Sequence, residues 1–314
     1  MQPNASGSAG VTVPAIPRVG ASSWARSRGR TFVALLAPAL IVLFLVTIVP
    51  TLFLLATSLT PLNLAKPASL RFIGLENFQE LTVDGRFWNS LAVQARLSFW
   101  DVTLQLLLGL GLAVLLNSRL RFLDLIRSAF IIPMVLPPVV VALNWLLFFT
   151  PNVSVLNWIL GLLQLPQPVW LMDANLALWA IIIADVWEWT PFVLLMVLAA
   201  LQMMPEEPLE AARIDGASGL QVFRYITLPL LRPVLLVAGL FRFIDSVKAF
   251  PQIYIMTRGG PGNVTEATNF YAFLEGFSYS YIGYSSAIIV VMLAVTFGMS
   301  AAIIRTVGQE AEVE

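Results

Sequence analysis

Cysteine and histidine are both absent from the 314 residues. Their absence excludes disulfides, thiol nucleophiles, zinc sites with Cys or His ligands, and histidine-based acid–base catalysis. No metal site is expected. Charge is scarce too: Asp, Glu, Lys and Arg make up 11% of the chain, against roughly 25% in soluble domains. The few charges balance, 18 acidic against 18 basic, so no basic surplus points to nucleic acid. A phosphate loop of the form Gly-x-x-x-x-Gly-Lys-Ser/Thr is missing, and no Gly-Lys pair occurs anywhere. The chain is therefore not expected to hydrolyse ATP. Zinc-protease and nucleophile-elbow motifs are missing as well.

What is present is apolar: 58% of residues are hydrophobic, in runs long enough to cross a bilayer. This predicts an all-α integral membrane protein with six transmembrane helices near 31–59, 90–116, 128–150, 176–202, 233–256 and 283–304. Residues 1–30, rich in Ser, Gly, Ala and Pro, read as a flexible tail, and 305–314 as a second short tail. Arg18, Arg26, Arg28, Arg30, Arg119, Arg121, Arg127, Arg213, Arg224, Arg232 and Arg305 then fall on one side. Only Lys66, Arg71, Arg86 and Arg258 fall on the other. This bias places both termini in the cytoplasm. The outer loop 151–175 contains "VSVLNWILGLL", which suits a short helix lying on the membrane, and Trp158, Trp88 and Trp170 suit its interface.

Between spans four and five lies a polar cytoplasmic loop, 203–232. Pro205 and Pro208 suit a helix start, and Glu206, Glu207 and Glu210 suit its positive end. Gly216 suits the left-handed residue after a helix, and Ser218 with Gln221 forms a capping-box pattern for a second one, limited by Pro229 and Pro233. The first helix, about ten residues, is too short to persist alone in water. Glu207, Glu210 and Ile214 share one face; Leu209, Ala212 and Gly216 share another, where small residues permit close approach. Either it rests on the bilayer as an amphipathic elbow, or it docks on a cytoplasmic partner.

Glu210, Ala211, Ala212, Asp215, Gly216, Leu228 and Pro229 match in type and spacing the EAA loop of a known family. The chain resembles the membrane subunits of bacterial binding-protein-dependent ABC importers. "FIGLENF" at 72–78, "DVWEWTPF" at 185–192 and "FPQIYIMTRGGPGNVTEATNFY" at 250–271 resemble the maltose- and glycerol-phosphate-type branch, specifically the first of its two permease subunits. The C-terminus lacks the Gly-x-x-Lys-Gly ending common in the second. Arg258 departs from the pattern, where the family usually has a further Gly. The resemblance implies a type I ABC importer permease fold in the bacterial cytoplasmic (inner) membrane. It implies a second, different permease subunit, an ATPase dimer that holds ATP and Mg, and an external solute-binding protein. It also implies a substrate among sugars, polyols, glycosides and glycerol phosphate. No cofactor is expected on this chain itself, and the EAA loop is implied to be a coupling helix docked on an ATPase.

Seven ionisable residues fall inside the predicted spans: Arg96, Asp101, Asp185, Glu188, Arg242, Asp245 and Lys248. At about 2.5–3.5 kcal/mol each, they cannot all face lipid. Arg242, Asp245 and Lys248 recur every three residues along span five. They either form an ion-pair cluster holding spans four and five together or wall a translocation path. Trp187 and Trp189 flank Glu188, and Asn144 adjoins Trp145 in span three; aromatic faces beside carboxylates and amides suit sugars. The candidate path residues are thus Asn144, Trp145, Asp185, Trp187, Glu188, Trp189, Arg242, Asp245 and Lys248. Two other classes stay open: an ion-coupled carrier using the same charges, and an intramembrane enzyme with Asp185 and Glu188 as acid and base.

Overall fold

A computed structural model describes residues 21–66, 70–117 and 122–311; these residues contain helices and no strand. Residues 1–20, with Arg18, lie outside the described residues, as do Arg119, Arg121 and 312–314. The chain divides into two compact units, 1–53 and 54–314. Helix α1, Ala21–Ser58, provides the described part of the first unit. It starts ten residues before the predicted span, so 21–30 are helical rather than a tail. Between 21 and 30 only Gly29 carries a large helix penalty, and extending an existing helix is cheap compared with nucleating one.

Three long helices form the centre of the second unit: α3 (Gly85–Leu116), α7 (Ala177–Gln202) and α10 (Leu228–Ser246), with the short α2 (Glu76–Val83) preceding α3. Residues 94, 98, 101, 105, 109 and 113 of α3 are all buried, a stripe at three- and four-residue spacing on one face. Glycines set how close the helices come. A Cβ on Gly109 would lie 2.6 Å from the Val193 side chain of α7, and one on Gly239 of α10 would lie 3.3 Å from Leu106 of α3. At one end Ala113, Leu116, Val193, Val197 and Leu231 pack together; at the other, Val93, Leu97, Ile181, Ile253 and Phe270 do.

The predicted third span is broken. Helices α4 (Phe122–Val135) and α5 (Pro138–Phe149) meet at 99°. The cause is the Pro137-Pro138 pair: each proline drives the residue before it out of the α region, and Pro137 is extended at φ −59, ψ 135. Among the described residues, five helices are long and apolar enough to span a membrane, or up to six if this bent pair counts as one. The outer-loop helix is present as α6, Val155–Leu162, capped by the Ser154 hydroxyl, which accepts from Asn157 N–H. α3 begins five residues before the predicted 90, capped by Asp84, so Arg86 lies in its first turn and not in a loop.

Span five is displaced toward the N-terminus. Two short helices, α8 (Glu207–Ile214) and α9 (Gly219–Val222), follow α7, and α9 runs through a π turn, Phe223–Thr227, into α10. Pro229 and Pro233 therefore do not end the second loop helix. Pro229 occupies the first turn of α10, directly after the wider π turn, where a missing N–H is tolerated. α10 stops at Ser246, so Lys248 sits in the following turn and not on the helix; Phe250, before Pro251, is steered away from helical geometry. A second π turn, Ile253–Thr257, ends at Arg258. Two more helices complete the fold, α11 (Thr268–Phe273) and α12 (Ile282–Ala311).

At the end of α3 remote from the α8–α9 loop, polar contacts lock the connecting segments. The Asp84 carboxylate accepts from Arg86 N–H (2.8 Å) and from the hydroxyls of Tyr271 and Tyr284, both at 2.6 Å. Burial alone would raise its pKa, but the two tyrosine hydroxyls and the Phe87 and Arg86 N–H groups hold the carboxyl below its ordinary value. Arg86 grips Glu266 through two 2.8 Å bonds, and Asn77 donates to the Ser58 and Thr60 carbonyls.

Arg258 is exposed and left-handed, φ 51 and ψ 36, a conformation that costs a non-glycine residue about 1–2 kcal/mol. This is where the related pattern has Gly. Arg258→Gly is therefore expected to stabilise the protein by about 1 kcal/mol, read as a higher Tm of the purified protein; an unchanged or lower Tm would show that the side chain compensates.

Candidate functional site

The α8–α9 loop has the geometry its sequence implies. Glu207 and Glu210 occupy the first turn of α8 and Arg213 the last, each favourable to the helix dipole. Gly216 is left-handed at φ 79; its N–H donates to the Arg213 carbonyl (3.1 Å), and Ala217 N–H to the Ala212 carbonyl (2.9 Å), closing the helix in a Schellman motif. The Ser218–Gln221 capping box is formed in both directions.

Leu209, Ala212 and Ala217 turn inward and are half-buried. Leu209 and Ala217 line a cavity of about 320 Å³ shared with Val114 and Asn117 at the end of α3. Glu207, Glu210, Ala211 and Ile214 face out, Ile214 at 86% exposure. The two alanines therefore differ: Ala212 rests toward the helical body and Ala211 is presented outward. A Cβ on Gly216 would meet nothing within 4 Å, so within this chain Gly216 serves its backbone conformation and not close packing. Asp215 and Pro229 are exposed and Leu228 is half-buried. Exposed Leu220 and Tyr225 extend the ridge. The sequence reading passed over these two, although large apolar side chains in a polar loop were a signal.

The charges of spans four and five converge on Arg242, which is 1% exposed, while Arg96 and Asp101 make no bond to it. Its guanidinium donates to Gln105 Oε1 (2.7 Å), Asp185 Oδ2 (3.3 Å) and Asp245 Oδ2 (3.2 Å), and stands 4.6 Å over the Trp189 ring. Gln105 donates onward to Asp185 (2.9 Å), and Gln252 donates to Glu188 (3.0 Å) and Asp185 (3.5 Å). Lys248 reaches Asp245 at 3.5 Å from an exposed position. Asp185, Glu188, Trp189, Arg242, Asp245 and Lys248 are thus one connected group. Asn144, Trp145 and Trp187 are not part of it. Positions 187 and 189 lie about 200° apart around a helix, so Trp189 turns in to Arg242 while Trp187 is 44% exposed. Trp187 meets Trp145 edge-on at 5.9 Å beside exposed Asn144, forming a separate aromatic surface on α5 and α7.

Gln94, Ser98, Gln105 and Gln252 were missed in the sequence. The first three, with Asp101, repeat at 94, 98, 101 and 105, which is the spacing of one helix face and was readable as a buried polar stripe. Both Asp101 oxygens, Glu188 Oε1, Gln252 Oε1 and Gln94 Oε1 are buried without a protein donor. These five atoms are all carbonyl or carboxyl oxygens.

Residues 105–307 match the family described as binding-protein-dependent transport system inner membrane component. The chain belongs to this family. The match begins at Gln105 and covers the Asp185–Arg242 network and the α8–α9 loop alike. Among relatives, this family member is 42% identical over 202 residues to the trehalose/maltose transport system permease protein MalF of Thermococcus litoralis, covering 64% of this chain and 68% of that one. It is 36% identical over 275 residues to the sulfoquinovosyl glycerol transport system permease protein SmoG of Agrobacterium fabrum, covering 88% and 89%. The membrane chain of a bacterial ABC transporter involved in import of the acidic polysaccharide alginate superposes with a TM-score of 0.79 at 19% identity, over 92% of this chain and 99% of that one. The fold is that of an ABC importer permease, and the chain is a transport component of the membrane, not an enzyme.

Removing one partner from a buried ion pair leaves an uncompensated charge. Arg242→Gln is therefore expected to cost about 3–5 kcal/mol. Adding Asp185→Asn should restore most of it. Thermal unfolding of the two variants checks this, and a double variant no more stable than the single one would show that Arg242 does not serve Asp185.

Proposed function

We propose that this chain is one of two different permease subunits in an ATP-driven importer of sugars or closely related glycosides. It would have six spans, with the bent α4–α5 pair as the third, and both termini in the cytoplasm. ATPase subunits holding ATP and Mg dock on α8, and an external binding protein delivers solute; this chain binds no cofactor of its own. The observation that carries the proposal is the outward-facing acidic ridge of α8, built on the EAA pattern, in a chain belonging to a binding-protein-dependent family. The sugar class rests on the names of its trehalose/maltose and sulfoquinovosyl glycerol relatives. An ion-coupled carrier needs no such docking ridge.

The geometry supports a direct coupling route. From Gly219 through the π turn to Arg242 the helix is continuous, a distance of about 35 Å. Movement of the docked loop shifts α10 and with it Arg242. α8 also lines a cavity with the end of α3, whose buried stripe carries Gln105, so both sides of the Arg242–Gln105 bond lie one helix away from the ATPase contact. Re-pairing there re-packs α3, α7 and α10 between inward and outward access. Trp187, Trp145 and Asn144 present ring faces and an amide to the path for sugar C–H faces and hydroxyls. Asp185, Glu188, Trp189, Arg242, Asp245 and Lys248 form its polar backing.

Glu210→Ala is expected to cost about 2–5 kcal/mol at the ATPase interface. Gly216→Ala places a side chain at φ 79 and distorts the same element. Both should leave the permease inserted in the membrane while ATPase co-purification or coupled uptake falls; full retention with coupled uptake in both would make α8 a surface elbow. Glu188→Gln keeps size and deletes charge. Uptake should drop while the complex still assembles, whereas failed assembly would assign the residue to structure alone.

A further inference from the structure

At the end of α3 away from α8 lies an open cleft of about 950 Å³, walled by the 61–66 segment, α2, and the chain from Tyr271 to Tyr284. α3 is 32 residues long, about 48 Å, so under the proposed orientation this cleft opens on the outer face. Three carboxylates line it, Glu80, Asp84 and Glu275, against one amine, Lys66; the Arg86 guanidinium beside it, 5.0 Å over the Tyr271 ring, is paired with Glu266. Four tyrosines share the walls: Tyr271, Tyr279, Tyr281 and Tyr284. Its floor is rigid. Asp84 holds the Tyr271 and Tyr284 hydroxyls, and Asn77 is pinned to two carbonyls of the 58–60 turn. Its rim is open: Glu80 and Lys66 are exposed, and Tyr279 and Tyr281 are about half exposed.

The lining chemistry selects the occupant. Carboxylates pair with ammonium and guanidinium groups, and phenol faces attract the same cations through the ring quadrupole. A neutral sugar would use the rings and the carboxylate oxygens but gains nothing from the charge excess, and an acidic one is repelled by it; a cation uses all three. The volume admits several side chains at once, which is a loop rather than a single ion. Two sequence motifs that the coupling loop leaves unexplained converge here: 72–78 supplies Asn77 and 250–271 supplies Tyr271. We infer that this cleft is the seat for a Lys- or Arg-bearing segment of the external solute-binding protein. The inference rests on the importer reading above, and it adds which surface of this chain the binding protein grips and with what charge.

Opposite charge changes at the rim test it. The complete transporter is reconstituted in nanodiscs, and ATP hydrolysis is followed against the concentration of trehalose-loaded binding protein at low and high salt. Glu80→Lys should raise the half-saturating concentration of binding protein about tenfold at low salt, and Lys66→Glu should lower it. Both shifts should shrink at high salt, with the maximal rate unchanged. Half-saturation that stays put in both variants, or moves the same way in both, overturns the inference. A shift only in the trehalose dependence of uptake, at saturating binding protein, would make the cleft a sugar subsite and overturn it too. An unmodified transporter that no binding protein stimulates would instead bring down the importer reading, and this inference with it.

Discussion

The buried guanidinium of Arg242 is the joint on which the helical centre depends. It binds Gln105 on α3, Asp185 on α7 and Asp245 on its own helix, and lies over Trp189. A lone charge inside a membrane protein is costly, and it is tolerated here because three oxygens and a ring face surround it. The same burial makes the arrangement discriminating: a helix shift of an ångström or two must either keep all these contacts or trade them for another set.

Around that joint the molecule is asymmetric along α3. One end carries a short acidic helix whose outward face is exposed among the described residues and whose inward face shares a cavity with the end of α3 and the π turn. The other end is tied down by Asp84, the Arg86–Glu266 fork and Asn77. The two ends therefore differ in how they are held: one by a charged and hydrogen-bonded network, the other by a short helix with an exposed outer face. The braced end is also where the acidic, tyrosine-lined cleft lies, so its ring faces are held in fixed orientation.

Much of this was legible in the residues. Helical class, the positions of α3, α7 and α12, the α8 cap at Gly216 and the Ser218–Gln221 box all follow from local rules, each satisfied within a few residues of chain. Continuity was harder. The 99° break at Pro137-Pro138 was hidden by an apolar run that looked uniform, and the extension of α9 into α10 through a π turn defeated the reading of Pro229 as a stop. Lys248 seemed to continue the Arg242–Asp245 series only because the three-residue rhythm outlasts the helix, which ends at Ser246.

The sequence by itself determined membrane class, the lack of any thiol or imidazole side chain, and the residue pattern of the α8–α9 loop. Composition and short-range spacing suffice for these, since they depend on neighbours within one or two turns. Only the tertiary structure decided that Trp189 turns inward while Trp187 faces out. It also decided that Gln105 and Gln252 complete the Arg242 network, and that segments 61–66, 76–84 and 271–284 close one cleft. These depend on which helix face meets which across separations of a hundred residues and more, such as Arg242 with Gln105 at 137. A linear pattern fixes the face a residue occupies on its own helix; it does not fix what stands opposite.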